Sequence, residues 1–186
     1  SLGFLDPACG CGNFLVVAFR ELKNLELHVL QALRADDPKF LMLNVTLITK
    51  VSIDQFSGIE IEEFPAEVAR VSMWLMEHVM NVKFGKSLGG VFPSIPLQHS
   101  ATIVCANALT TPWESVVAPE KLHFIMGNPP FAGRRSRTIE QQAEVAQYFP
   151  EYKDVDYVAC WLKKAAIFAD KHQKCKIAFV ATNSVT

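Results

Sequence analysis

No window of about eighteen apolar residues occurs in the 186-residue chain, so the sequence offers no membrane span. Residues 1–5 do not pair a basic stretch with a long apolar one, so there is no secretory signal to read. An excess of one charge is also missing: 18 Lys and Arg face 19 Asp and Glu, a formal net charge of −1. Phosphate contacts dominate nucleic-acid affinity, so composition alone does not suggest DNA. Either DNA is not the substrate, or most of the grip lies on parts outside these residues. The five cysteines, Cys9, Cys11, Cys105, Cys160 and Cys175, form no C-x-x-C pair and are odd in number. That argues against a disulfide framework or a zinc site, and for reduced thiols in a cytoplasmic setting. His78, His99, His123 and His172 match no metal spacing, and no metal is expected.

Half of the sequence is apolar and a fifth is charged, which suits one folded domain over 1–186. Leu2 to Leu5 reads as the end of a buried strand. A helix follows, with Phe14, Ala18, Leu22, Leu25, Val29 and Leu33 on one face, stopped by Asp36-Asp37-Pro38. Residues 38–55 fit either a second helical piece or an insertion. Gln55 to Ile61 reads as a second strand. Pro65 opens a helix through Val68, Val71, Leu75, Val79 and Val82. Lys86 to Gln98, rich in glycine and proline, marks a loop. Ala101–Cys105 and Leu122–Met126 are strands, and Gly133 to Gln147 is a polar stretch. Asp154 to Lys171 is helical, with Val158, Trp161, Leu162, Ala165 and Phe168 on one side. Trp161 with Lys163-Lys164 reads as ordinary amphipathic helix, and Trp74 with Met73 and Met76 as core. Lys176–Ala181 is the last strand. Alternating strands and helices predict a mostly parallel α/β sheet with helices on both faces. The chain starts close to its first motif and stops just after a strand, so truncation at both ends is expected.

Four elements carry chemistry. The first is Asp6-Pro7-Ala8-Cys9-Gly10-Cys11-Gly12-Asn13-Phe14, at a strand-to-helix junction. Its glycines let the backbone turn sharply and approach a ligand. It lacks the G-x-x-x-x-G-K-[ST] of a phosphate-binding loop and the third glycine of the dinucleotide fingerprint. A ligand without a pyrophosphate suits it. The second is Glu60 in Gly58-Ile59-Glu60-Ile61, where an acid at a strand tip can accept both ribose hydroxyls. Glu62 and Glu63 beside it allow the plainer reading of an exposed acid. The third is Asn107-Ala108-Leu109, whose amide could bond an adenine edge or serve only as a turn residue. The fourth is Asn128-Pro129-Pro130-Phe131. Consecutive prolines stiffen the loop, and the Asn128 side-chain oxygen and the Pro129 carbonyl can converge as acceptors on one amino group. Accepting its hydrogens draws the nitrogen lone pair out of ring conjugation. Phe131 offers a stacking face worth roughly 1–3 kcal/mol.

These elements, in this order, resemble the amino-group DNA methyltransferases of the γ arrangement. Gly58 to Leu75, Asn107-Ala108-Leu109, Gly127 to Arg134, Asp156-Tyr157-Val158-Ala159 and Ala178 to Thr186 look particularly like the methylase segment of MmeI-like single-chain restriction–modification enzymes. The resemblance implies a Rossmann-like class I fold with strand order 3-2-1-4-5 and S-adenosyl-L-methionine as cofactor. It implies that Asp6, Pro7, Ala8, Cys9, Gly10, Gly12, Asn13 and Phe14 surround the methionine part. Glu60 would hold the ribose, Ile61 would pack on the cofactor's adenine, and Asn107 and Ala108 would border it. Asn128 and Pro129, stiffened by Pro130, would orient the target amine, and Phe131 would stack on a flipped base. Many relatives carry Ser where Cys11 stands and Asp where Asn107 stands. The family's helix that closes over the methionine would precede Ser1. The implied partner is double-stranded DNA, with nuclease and target-recognition domains elsewhere on the parent chain. Arg134, Arg135 and Arg137 read either as a solvated charged loop or as phosphate contacts.

The expected activity is therefore methyl transfer to the amino group of adenine in DNA. Asn-Pro-Pro-aromatic loops also serve methyltransferases acting on an rRNA guanine or a protein glutamine. A cofactor-binding domain that methylates nothing is a third reading.

Overall fold

The computed structural model describes residues 2–36, 49–88, 100–151, 154–172 and 175–181. Most of the 38–55 stretch, the 86–98 loop beyond Leu88 and the final residues 182–186 lie outside them.

Five strands form one sheet: β1 (Phe4–Asp6), β2 (Phe56–Glu60), β3 (Thr102–Cys105), β4 (Phe124–Gly127) and β5 (Lys176–Phe179). Their order is β3-β2-β1-β4-β5 and every pairing is parallel. That is the expected 3-2-1-4-5 arrangement. The order reverses beside β1, so the loops after β1, β2, β3 and β4 rise at one edge of the sheet, around the switch point. Phe4 sits in register with Phe56 and Phe124. Its ring stacks on both, with centroids 4.7 and 5.1 Å apart.

Among the described residues four α-helices accompany the sheet: α1 (Asn13–Asp36), α2 (Glu63–Leu88), α3 (Ile139–Tyr148) and α4 (Val158–His172). One apolar core joins α1 and α2 to the sheet through Leu15, Phe19, Leu27, Met73, Met80 and Phe84. The other lies beneath α4, through Ile59, Trp113, Ile125, Trp161, Ala165 and Phe168. Each fully buried large apolar side chain here contributes about 1.5–3 kcal/mol.

The apolar faces read for α1 and α2 require correction. α1 buries Leu15, Phe19, Lys23, Leu27 and Leu30. Phe14, Leu25, Val29 and Leu33 stand at the surface. α2 buries Ala66, Ala69, Met73, Glu77, Met80, Phe84 and Leu88, whereas Val71, Trp74, Leu75, Val79 and Val82 are exposed. Two charged residues on the inner faces hid the pattern. Lys23 is buried because its ammonium donates to Glu26 (2.8 Å) and to the Val51 carbonyl (3.2 Å) and lies 4.4 Å over the Phe84 ring. Small residues did the rest: Ala69 packs within 3.1 Å of where a Cβ on Gly12 would stand. Met73 is core as expected, and Trp74 is not. α4 buries Val158, Trp161, Ala165 and Phe168, as its spacing predicts.

The polar stretch 133–147 contains α3, which apolar periodicity does not signal. Thr138 caps it through a reciprocal box: Gln141 N–H donates to Thr138 Oγ1 (3.2 Å) and Thr138 N–H to Gln141 Oε1 (3.0 Å).

Candidate active site

A cavity of about 340 Å³ opens above the carboxyl ends of the strands. That volume lies within the usual range of small-ligand sites. Pro7 and Ala8 after β1 form one wall; Ile59 and Glu60 of β2, with Ile61 after it, form the next. Ala106, Asn107 and Ala108 follow β3, and Asn128 and Pro130 follow β4. Gln141, Tyr157 and Trp161 complete it from the helical side. All four sequence elements therefore reach one cavity.

The first loop is built around its glycines. Gly12 has φ +84°, the left-handed region, and its N–H donates to the Cys9 carbonyl at 2.8 Å. A side chain there would strain the backbone and crowd Ala69. The Gly10 N–H donates to Glu60 Oε2 at 2.8 Å, which ties the first loop to the second strand. Glu60 Oε1 accepts from the Glu62 N–H at 3.0 Å. Each oxygen keeps lone-pair capacity facing the cavity wall.

Asp6 is 1% exposed. Its Oδ1 accepts from Ala8 N–H at 3.0 Å, and its Oδ2 has no partner among the described residues. Burial pushes its carboxyl up to about 7, against a lowering by the Ala8 bond; the Glu60 charge adds to the rise. Gly127 leaves room for this carboxyl: a Cβ there would stand 2.3 Å from Asp6 Oδ1. Cys9 is buried against Gly58, and burial first, then the acids at 6 and 60, keeps its thiol protonated. Asn13 and Phe14 begin α1, with both side chains exposed. Cys9, Gly10, Gly12, Asn13 and Phe14 do not line the cavity.

Asn128 is exposed, and no described residue bonds its amide. Pro129 beneath it is buried, and Phe131 is 40% exposed. The Asn107 side chain is committed at both ends: Oδ1 accepts from Leu109 N–H at 2.8 Å, and Nδ2 donates to Glu144. Glu144 also accepts from the Tyr157 hydroxyl.

The loop after Phe131 is clasped to the start of α4. Asp156 Oδ1 accepts from the N–H groups of Ala132 and Val158, both at 3.3 Å. Arg137 is buried; its guanidinium donates to the Ala132 carbonyl at 3.1 Å and to the Val155 carbonyl. Of the three arginines singled out in the sequence, Arg137 is thus an internal brace. Arg134 pairs at the surface with Asp154 at 2.8 Å, and Arg135 is exposed.

Gln141, Glu144, Tyr157 and Trp161 were not assigned to a site from sequence. Trp161 is no ordinary amphipathic residue: its indole N–H donates to the Pro7 carbonyl at 3.0 Å and its ring meets Tyr157 edge-on at 5.1 Å. The signal available for α3 was Thr138-x-x-Gln141, a capping pattern. Among the described residues no group of His, Cys, Asp and Glu could hold a metal, and no helix is long and apolar enough to cross a membrane.

Comparison with known proteins decides the family. The model of the MmeI DNA-methyltransferase domain matches residues 1–186. The chain belongs to this family. DNA methyltransferase A of Bacillus subtilis (strain 168) is 34% identical over 189 residues, covering 98% of this chain and 21% of the relative. The type IIL restriction–modification enzyme MmeI, solved in complex with DNA, is similar at 44% identity and a TM-score of 0.90, over 99% of this chain and 25% of that one. The type ISP enzyme LlaBIII shares the fold at 15% identity and a TM-score of 0.54. The chain thus spans about a fifth to a quarter of these two closer relatives. The MmeI match and the parallel 3-2-1-4-5 sheet agree on a Rossmann-like methyltransferase fold.

Proposed function

We propose that this DNA-methyltransferase domain transfers the methyl group of S-adenosyl-L-methionine to the exocyclic amino group of adenine in double-stranded DNA, within a restriction–modification protein. One observation carries the reading: the unpaired amide of Asn128 and the ribose-type acid Glu60 open onto one cavity of cofactor size. The cavity's chemistry fits the cofactor. Glu60 offers acceptors for ribose hydroxyls, and Ile61 and Ala108 offer apolar surface for an adenine. Asp6 is enclosed behind Pro7 and Ala8, with Oδ2 unpartnered among the described residues, and would counter a positive charge at the methionine end through that wall. Asp6, Pro7 and Ala8, supported by Cys9, Gly10, Gly12, Asn13 and Phe14, would hold its methionine end. The bound cofactor supplies a methyl group already activated by a positive sulfur.

The residues of the chain then do three things. Asn128 Oδ1 and the Pro129 carbonyl would accept hydrogen bonds from the two N–H groups of the target amine and direct its lone pair towards the cofactor. The N–C bond forms as the methyl–sulfur bond breaks, and the proton the methylated nitrogen then releases passes to solvent at this exposed strand tip. Phe131, half-exposed beside them, stacks on a base drawn out of the duplex, an extrusion that costs a few kcal/mol. Arg134 and Arg135 lie on the following loop within reach of the backbone phosphates of such a nucleotide. No conventional general base is required, because positioned acceptors and an activated methyl suffice.

The test is methyl transfer by the full-length protein from tritiated S-adenosylmethionine to duplex DNA, ribosomal RNA and a release-factor protein. Label in DNA, recovered as N6-methyladenine after digestion, is expected. Label only in RNA or in glutamine would overturn the assignment. Label nowhere would favour a domain that binds without methylating.

Asp6 adds a pH signature. Its carboxyl is raised in the folded protein without cofactor, and a cation beside it favours the ionised form. Binding below pH 7 must therefore expel a proton, so affinity is expected to rise through about pH 6–8 and level off above. The same shift lowers the stability of the cofactor-free protein as pH climbs from about 4 towards 7. Calorimetry across this range, with Asp6→Asn as control, checks both; a rise of equal size in the variant would exclude Asp6 as its source.

A further inference from the structure

α3 places a second polar side chain at the cavity besides the residues already given roles. Gln141 and Glu144 are three residues apart and share one face of the helix. Glu144 fixes where that face points, because it accepts from Asn107 and Tyr157, both of which line the cavity. Gln141, one turn earlier, lines the cavity itself.

The capping box determines which half of the Gln141 amide is free. Thr138 N–H can only donate, so the group 3.0 Å from it must be the oxygen. That leaves the NH₂ pair, and no acceptor among the described residues takes it. The neighbouring polar groups cannot easily substitute for it. The Asn107 amide is held by Leu109 and Glu144, and the Tyr157 hydroxyl already donates to Glu144. Glu60 is an acceptor only. Beside Glu60 and Ile61 the cavity therefore has acid and apolar surface in place, and Gln141 and Asn128 are the lining side chains whose amide NH₂ has no acceptor among the described residues; Asn128 already has its role at the target amine.

We propose that Gln141 is a specificity-determining residue for the cofactor: its amide NH₂ donates to a ring nitrogen of the cofactor's adenine. This rests on the cofactor reading above. A purine edge alternates its amino donor with ring-nitrogen acceptors, and a side chain fixed as a donor recognises the latter. Because the same amide also closes the first turn of α3, the helix holds its donor in place without a further partner. A purine with an oxo group and a protonated nitrogen at that edge presents a donor to this donor and is disfavoured.

Gln141→Glu is the informative variant. A carboxylate keeps an oxygen for Thr138 N–H, so the capping box survives, while the NH₂ pair is lost. The experiment is calorimetric binding of S-adenosyl-L-homocysteine and its 1-deaza, 3-deaza and 7-deaza analogues to the full-length protein without DNA. Gln141→Glu is expected to weaken S-adenosylhomocysteine at least about tenfold, the scale of one lost hydrogen bond. One deaza analogue should bind the wild type correspondingly less well and lose nothing further in the variant. If all three analogues match the parent compound on the wild type, the proposal fails without recourse to any variant. It fails equally if the variant binds S-adenosylhomocysteine as the wild type does, the result expected of a donor that serves the target base instead. A loss that persists undiminished with every analogue would mark a structural role and also overturn it. Absence of binding by the wild type would bring down the cofactor reading itself, and is thereby distinct from failure of Gln141 alone.

Discussion

Asn128→Ala is expected to slow methyl transfer by about a hundredfold to a thousandfold while changing cofactor affinity less than threefold. The magnitude follows from removing one of the two acceptors proposed for the target amine; single positioned groups that act on developing charge are typically worth that much. The separation of the two effects follows from the geometry. Asn128 stands at the tip of β4, exposed, with its amide bonded to no described residue, so truncation leaves the fold undisturbed. Glu60 and Ile61, at the end of β2, and Ala108, after β3, keep their places. The Pro129 carbonyl remains, which is why the residual rate is not zero. Single-turnover transfer on duplex DNA, paired with equilibrium binding of S-adenosylhomocysteine, reads both quantities. A rate within threefold of wild type would remove Asn128 from the chemistry. A parallel loss of cofactor affinity would reassign it to the cofactor.

Gly127→Ala, one residue before Asn128, is the second substitution with a large expected effect, and its cause lies on the neighbouring strand β1. The added Cβ would stand 2.3 Å from Asp6 Oδ1 and 3.0 Å from Asp6 Cγ. Asp6 is fully enclosed on β1, the strand that pairs with β4, so it has no empty space to enter. Overpacking of this kind costs about 1–3 kcal/mol. In a chain of this size that lowers Tm by roughly 2–12 °C. Displacing Asp6 would also loosen its bond to Ala8, which lines the cavity, so cofactor affinity is expected to fall at least about tenfold. The double variant Asp6→Ala/Gly127→Ala relieves the crowding. Its stability loss should be smaller than the sum of the single losses, the non-additivity of residues in contact. A wild-type melting temperature and wild-type affinity in Gly127→Ala would show that the strand end shifts freely.

The sheet was legible in the sequence because its signals are local and redundant. A glycine turn after Asp6, an acid closing β2 and a proline pair after β4 each mark the end of a strand. Alternation with helices then leaves few topologies. The helix faces were not legible on α1 and α2. Both helices carry apolar residues on more than one side, and the inner side includes Lys23 and Glu77. A burial pattern cannot be read from hydrophobicity when a lysine is satisfied indoors and a valine stands outdoors. The site was half legible for a similar reason. Asp6 and Glu60 close strands, and Asn107 and Asn128 follow strands, each in a stretch with recognisable chemistry, and the fold gathers those strand ends by necessity. Gln141, Glu144 and Trp161 arrive from helices, and Tyr157 from the turn before one, in stretches whose composition is unremarkable. Only the cap at Thr138 and the tertiary bonds to Pro7 and Asn107 reveal them.

The clasp between the loop after Phe131 and the start of α4 has a consequence for divergence. Ala132 meets Asp156, and Arg137 reaches Val155, so the segment that carries α3 is stapled at both ends to nearly one place. Within it Val145 is buried in the core and the Tyr148 hydroxyl donates to the Leu109 carbonyl at 2.7 Å, so those two positions are held. Positions on the outer face of α3 can drift while Phe131 on one side and Tyr157 on the other hold station. Descendants of this architecture can thus exchange the side chains that α3 turns to the cavity, and retune which ligand is admitted, without rebuilding the strands beneath.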